Sequence, residues 1–297
     1  MNYAIGLDLG GTNVKGVAVT PQGRILAQWS TPTADGGGTA WRENVRRVFE
    51  RLQRIVRHRP SFVGIAAPGL PDRDGRSIAC MPGRLAGLEG LVWQEYLCFP
   101  GPVPVLNDAQ AAILGEVWRG AARRSKNVFL LTLGTGVGGA AIVDGRLLRG
   151  HIRRAGHLGH ISLNPHGSAD ITGTPGSLED AIGDATIHAR SAGRFGSTRA
   201  LVEASRRGDA EARRIWTESV RALAAGIASL ANVLDPELVV LGGGIVKAGA
   251  ALFRPLRRFL DEFEWRPAGA QVRIVAAKLG DRAGTLGAAW HAINPGT

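Results

Sequence analysis

Two stretches of this 297-residue chain carry the residue types of a phosphate grip: Leu7-Asp8-Leu9-Gly10-Gly11-Thr12-Asn13 and Leu131-Thr132-Leu133-Gly134-Thr135-Gly136-Val137-Gly138-Gly139. In each, an apolar run enters a tight Gly/Thr turn and leaves as a second apolar run, Val14 to Thr20 or Ala140 to Val143. Backbone N–H groups in such turns can close on phosphate oxygens, and Thr hydroxyls add donors. Glycine suits the position because it takes φ > 0 without a Cβ penalty. Two such hairpins can hold a triphosphate between two lobes.

The elements needed to position these turns alternate along the chain. Strands are predicted at Tyr3–Asp8, Val14–Thr20, Arg24–Ser30, Phe62–Ala66 and Val103–Leu106, with helices over Trp41–His58 and Ala109–Arg119. The second half repeats the scheme, with strands at Val128–Leu133, Ala140–Val143 and Arg146–Leu148 and Asp144-Gly145 as a hairpin turn. A polar, Gly-rich stretch from Arg149 to Ser177 follows. Beyond it come an Ala-rich helix at Ala210–Leu234, a strand at Leu238–Leu241, a helix after Gly244, a strand at Val272–Ala276 and a last helix near Leu286–Ala292.

Composition narrows the function classes. With 44% hydrophobic residues the chain can bury one or two ordinary cores. No apolar run is long enough to span a bilayer, and Met1-Asn2-Tyr3 leads into a strand without a signal-peptide pattern, so the expectation is a cytoplasmic protein. Cys80 and Cys98 are the only cysteines and read as isolated thiols. The net charge of +11 is spread blandly: Arg46, Arg47, Arg51, Arg54 and Arg57 share a helix with Val45, Val48, Phe49, Leu52 and Ile55, which is a solvated face opposite a buried one. Nucleic-acid and membrane partners are therefore not expected.

Asp8-Leu-Gly-Gly-Thr-Asn-Val-Lys15, Leu106-Asn107-Asp108-Ala109, Leu133-Gly-Thr-Gly-Val-Gly-Gly139, Gly156-His157-Leu158-Gly159-His160 and Leu241-Gly-Gly-Gly244 stand in the order and spacing of the ROK family. The chain resembles that family, sugar kinases and repressors of the actin-like ATPase superfamily, along essentially its whole length. The resemblance implies an α/β, two-lobed actin-like ATPase fold with ribonuclease H-like duplicated domains. The lobes are expected at residues 1–115, regaining helix 284–297, and at 116–283, with sugar and nucleotide meeting in the cleft. It further implies ATP and Mg²⁺ as cofactors and a homodimer, for which Ala210–Leu234 is a surface if it is not core.

Phosphoryl transfer needs a positioned hydroxyl, a base and donors around the phosphates. Asp108, at the end of an apolar strand and the start of a helix, is the candidate catalytic base; the alternative is an ordinary helix N-cap. Asn107 would hold sugar hydroxyls, or else form a turn. By resemblance Asp8 orients Mg²⁺ through water, or else it closes its strand. Gly10, Gly11, Thr12, Asn13 and Lys15 match the first phosphate loop, and Thr132, Gly134, Thr135 and Gly136 the second. Gly242, Gly243 and Gly244 would pass the adenosine side, or form a plain strand-to-helix turn. Gly69 and Gly83 are assigned with Asn107 to the sugar.

After the second hairpin the chain departs from its relatives. Family members carry a glutamate where this chain has His157, and a His plus three Cys that bind zinc; here His160 remains, and Asp170, Thr172 and Ser177 stand where the cysteines would be. No zinc site is expected. His157 and His160 with Asp170 could in principle hold another metal. His157, His160 and Glu179 are candidate sugar ligands, Glu179 alternatively a first-turn helix carboxylate. Pro82-Gly83-Arg84-Leu85 replaces the family's Pro-Asn, so specificity can differ from glucose.

The expected activity is an ATP-dependent hexokinase acting at the 6-hydroxyl. Polyphosphate as donor and a non-catalytic sugar sensor are the alternatives; a repressor is disfavoured because the chain starts directly on its first strand.

Overall fold

The computed structural model describes residues 1–81 and 83–296; Pro82 of the Pro-Gly-Arg-Leu departure lies outside the described residues. The chain opens with β1 (Ala4–Leu9), β2 (Asn13–Val19) and β3 (Ile25–Pro32), then α1 (Ala40–Val56) and β4 (Phe62–Ala67). A short hairpin of β5 (Leu70–Pro71) and β6 (Ile78–Cys80) leads to α2 (Trp93–Tyr96), β7 (Val105–Asn107) and α3 (Asp108–Arg119). Then come β8 (Val128–Leu133), β9 (Val137–Val143) and β10 (Arg146–Leu147), followed by α4 (Leu178–Ile182), α5 (Ile187–Arg190), α6 (Thr198–Arg206) and α7 (Ala210–Leu234). The last elements are β11 (Leu238–Gly242), α8 (Ala250–Phe263), β12 (Arg273–Ala276) and α9 (Ala283–Ile293).

Two compact units divide the chain: residues 1–125, 144–156 and 277–297 in one, 126–143 and 157–276 in the other. Their five-stranded sheets share one plan, in the orders β3-β2-β1-β4-β7 and β10-β9-β8-β11-β12. In each, a long hairpin is antiparallel (β1 with β2, β8 with β9), and the strand that opens the hairpin pairs in parallel with a later strand, β4 or β11.

In the first unit β1 is buried on both faces, as a central parallel strand must be. One face packs Ile5, Leu7 and Leu9 with Trp41, Val45, Val48 and Leu52 of α1. The other sets Ala4 with Val17, Val19, Leu286 and Ala289, against α9. Gly6 makes this approach possible, since a Cβ there would overlap the carbonyl of Thr285. At the far end of α3 the fully buried Glu116 accepts the N–H groups of Lys278 (3.0 Å) and Leu279 (2.8 Å), joining the chain before α9 to α3.

The second unit is organised by α7. Asp209 caps its N-terminus by accepting from Ala212 N at 2.9 Å, and Asp235 ends it in the left-handed conformation. Its buried residues, among them Ala212, Ile215, Trp216, Ser219, Val220, Leu223 and Ile227, recur at helical spacing and pack on α4, α6 and α8. No helix among the described residues is long and apolar enough to cross a membrane.

Candidate active site

In the first unit, β1 and β7 end at the same edge of the sheet, because both run parallel to β4. That places Asp8, near the end of β1, close enough to Asp108, just after β7, for the two charges to interact. Burial pushes the Asp8 carboxyl up to about 7; the like charges of Asp108 and Asp281 add to the rise, and Lys15 opposes it. Lys15 pairs with Asp8 across the hairpin register and sits 3.3 Å from Asp281. Asp108 keeps solvent-exposed surface, yet surrounding protein removes enough water to raise its carboxyl, an effect that the N–H of Ala109 at 2.8 Å partly reverses.

The helix N-cap is Asn107 and not Asp108. Asn107 Oδ1 accepts from Ala109 N at 2.9 Å, and Gln110 Oε1 reaches back to the Asn107 N–H at 3.2 Å. This reciprocal cap starts α3 one residue earlier than its apolar pattern predicts and leaves Asp108 in the first turn, where its Oδ1 shares the Ala109 N–H with the cap. Asn107 Nδ2 donates to the carbonyl of Gly69 at 3.1 Å, so two of the candidate sugar residues are neighbours. A second side-chain hydrogen bond joins Asn107 to the Asp108 carboxylate. Gly83 lines an open depression of about 720 Å³ with Asp35, Met81 and Arg84.

Arg84 escaped sequence reasoning. It is held by Asp35 at 2.8 Å and extends Nη2 to the carbonyl of Gly11 at 3.4 Å, which puts a guanidinium over the first hairpin turn. Only the Pro-Gly-Arg departure marked it, and that was read as a change of sugar specificity.

The two hairpins differ in detail. Leu9 pairs with Val14 across residues 10–13, whereas Leu133 pairs with Val137 across 134–136. None of Gly10, Gly11, Gly134 and Gly136 takes a positive φ, so the conformational argument for glycine there is corrected: at Gly10, Gly11 and Gly136 space is short, and at Gly134 it is not. A Cβ on Gly134 would meet nothing within 4 Å, one on Gly11 would press on Arg84 at 3.1 Å, and one on Gly136 would overlap the Glu179 carboxylate. Gly243 is the glycine with the left-handed backbone (φ 89°), where the chain turns under the Leu133 carbonyl. The three glycines Gly242 to Gly244 lead into a single 3-10 turn, Ile245–Ala248, and not directly into α8. Gly242 lies beside Thr132 in the sheet.

The second hairpin is clamped from below. Asp184 N and Ala185 N donate to the carbonyls of Gly134 and Thr135, both at 2.9 Å, and Glu179 Oε2 accepts from Val137 N at 2.8 Å. Arg190 braces this clamp by donating to Thr186 Oγ1 (3.0 Å), Ser219 Oγ (2.6 Å) and the Gly183 carbonyl (2.8 Å). Glu179 thus meets the second hairpin directly, a contact absent from its reading as a sugar ligand or a helix-end carboxylate.

His157 and His160 stack with ring centroids 6.5 Å apart. Burial, with the neighbouring His160, holds the His157 imidazole below its ordinary pKa, and its buried Nε2 has no hydrogen-bond partner among the described residues. His160 Nδ1 lies 2.8 Å from Asp170 Oδ2. The grouping of His157 and His160 with Asp170 as metal ligands is therefore corrected: the acidic and imidazole atoms that converge to within 4.8 Å belong to His160, Asp170 and Glu179. Nor do the residues fit a thiolate zinc centre, since the positions flanking Asp170 offer hydroxyls whose bonds point inward to its carboxylate. A Mg²⁺ ion suits the first unit better: a half-buried carboxyl with a raised pKa beside a second carboxyl gains from a divalent cation, and Gly284 leaves Asp8 Oδ2 room that a Cβ, 2.5 Å away, would take.

Comparison with known proteins places this geometry. The chain is 32% identical to a glucokinase of Halalkalibacterium halodurans over 97% of its own length and 94% of that protein. Its fold matches the ROK hexokinase of Thermus thermophilus with a TM-score of 0.84 at 32% identity, covering 98% of both chains. It also matches a ROK family glucokinase from Streptomyces griseus, solved with glucose and AMPPNP, with a TM-score of 0.78 at 30% identity over 98% of this chain and 99% of that one. The architecture is the α/β actin-like ATPase fold of these kinases. With the family model for ROK proteins matching residues 4–294, the paired hairpins and the Asn107-Asp108 strand end have their explanation: this chain belongs to the ROK family.

Proposed function

We propose that this protein is an ATP-dependent hexokinase that transfers the γ-phosphoryl group of ATP to the 6-hydroxyl of glucose or a related hexose. The observation that carries the reading is the pair Asp8 and Asp108 at the ends of the two strands that flank β4, with Asn107 fixed beside them. In this reading Asp108 accepts the hydroxyl proton as the new O–P bond forms and the bond to the ADP oxygen breaks. Its raised pKa makes it the stronger base. Asn107, Gly69, Gly83, His157, His160 and Glu179 hold the sugar, and the unpartnered His157 Nε2 supports a polar ligand there.

Gly10, Gly11, Thr12, Asn13 and Lys15, with Thr132, Gly134, Thr135 and Gly136, surround the phosphates; Gly242, Gly243 and Gly244 pass the adenosine. Asp8 would hold Mg²⁺ through water, and the ion, when bound, would neutralise charge on the phosphate oxygens. Lobes at 1–115 with 284–297 and at 116–283, a homodimer and a cytoplasmic site of action belong to the same proposal.

A coupled phosphorylation assay over hexoses, amino sugars and phosphoryl donors tests it. The expected result is ATP-dependent formation of a hexose 6-phosphate. Failure of the folded protein to phosphorylate any hexose with ATP would overturn the reading.

A further inference from the structure

The loop between the 3-10 turn Leu158–His160 and α4 contains little regular structure, only the bridges Ser162 to Ser177 and Ala169 to Pro175. Its centre is the side chain of Asp170, which has no exposed surface. Oδ1 accepts from Thr172 N (2.8 Å), Thr172 Oγ1 (2.7 Å) and Thr174 N (3.0 Å), and Oδ2 meets His160 Nδ1 at 2.8 Å. The Ser177 hydroxyl adds a further bond to the same carboxylate. Five donors thus converge on a group with about four lone-pair sites, leaving none for a cation. A metal at His160, Asp170 and Glu179 would have to break this network and take the Glu179 oxygen from Val137 N.

We propose that Asp170 is the positioning residue of this loop, its buried carboxylate doing by hydrogen bonds what a bound metal would otherwise do, and so fixing the tautomer and orientation of His160. The argument is one of donors and acceptors. An ionised carboxylate only accepts, so His160 Nδ1 carries the hydrogen, and in the neutral ring Nε2 is left as an acceptor for a ligand hydroxyl. Burial alone would raise the Asp170 carboxyl; the bonds from His160, Thr172, Ser177 and Thr174 outweigh it and hold the group well below the usual carboxylate range.

The staple also has a second end. Ser177 Oγ accepts from Asp180 N at 3.2 Å as the N-cap of α4, and the first turn of α4 carries Glu179 to the hairpin. Asp170 therefore sets the start of the helix that clamps the second phosphate turn. That His160 faces the sugar rests on the hexokinase reading; the staple itself does not.

Imidazole nitrogen NMR on the full chain, wild type and Asp170→Asn, decides the matter, with metal analysis of the same samples. The wild type should show hydrogen on His160 Nδ1, and Asp170→Asn, whose amide can donate, should shift it toward the Nε2 form. The hexose KM should rise about tenfold in Asp170→Asn. Thr172→Val, which removes one donor and keeps the carboxylate, should retain the wild-type tautomer. A wild-type ring protonated on Nε2, an unchanged spectrum in a folded Asp170→Asn, or one tightly held metal ion per chain would each overturn the proposal. Should no hexose be phosphorylated, the kinase reading fails while the spectra still decide the staple.

Discussion

Glu179 Oε2 receives the Val137 N–H at 2.8 Å and fills the place where a Cβ on Gly136 would sit. A residue of the first turn of α4 and a turn of the second hairpin are thus in direct contact, within one unit of the structure.

Gly136→Val should consequently do more than crowd a phosphate loop. If Gly136 served the phosphate loop alone, ATP binding would suffer and sugar binding survive. Because the new side chain must push Glu179 off Val137, both are now expected to weaken, with kcat/KM falling by about 10² or more. Calorimetry with each ligand on the folded variant checks this. Unchanged sugar affinity would show that the Glu179 contact is irrelevant to the sugar.

Asp108→Asn should lower kcat by ~10²–10⁴ and leave the sugar dissociation constant within about tenfold, because Asn107 is the N-cap of α3 and an amide oxygen at 108 can still accept the Ala109 N–H. Rapid-quench turnover and equilibrium sugar binding separate the two. Near-normal turnover would remove Asp108 from the role of base.

The Asp8 carboxyl, near 7 in the folded chain against 3.8 ordinarily, makes the folded state the better proton binder between those values. Its contribution to stability is complete below about pH 4 and is lost as the pH rises through about 7. His291 acts with the opposite sign. Burial, with Arg149 and Arg153 nearby, takes its imidazole down to about 4 from 6.5, so its contribution is complete above about pH 6.5 and is lost as the pH falls through about 4. In melts without divalent cation, Asp8→Asn should lessen the loss of Tm toward pH 8, and His291→Gln the loss toward pH 4. Parallel Tm curves for wild type and both variants would contradict these assignments.

His157 gives a narrower expectation. From its residue type alone, the hexose KM would vary with pH between ~5.5 and ~7.5. Its depressed imidazole moves that dependence to the acid side of ~6.5, with the ring neutral above it. His157→Glu should alter both the profile and the preferred sugar, and identical KM profiles would show that His157 only packs in the loop.

Much of the scaffold could be read from residue patterns, and the exceptions have causes. The apolar spacing of α7 marked both its ends, and the strand β8 was equally legible. β7 starts at Val105 and not Val103 because Pro104 has no N–H for the ladder and gives only its carbonyl, to Ile65 N at 2.9 Å. β5 and β6, of two and three residues, are too short to show a period. In the site, Asp108 and Asn107 were visible because a strand end meets a helix start there. The bonds of Asp170, Arg84 and Arg190 were not: those of Arg84 reach far along the chain, those of Asp170 and Arg190 join irregular segments, and periodicity says nothing of either kind.

The face of β1 that packs Ala4, Val17 and Val19 against Leu286 and Ala289 is completed by the last element of the chain. During synthesis, β1, β2 and β4 leave the ribosome well before α9 exists, so this apolar face must wait, uncovered, while the whole of the second unit is made. The second unit has no such delay, since its segments lie between residues 126 and 276. A chain halted before residue 277 should accordingly carry a folded second unit beside an open, dye-binding first one, and chaperones that shield apolar surface have a defined target in the nascent protein. A halted chain whose first unit resisted proteolysis as well as its second would refute this order of assembly.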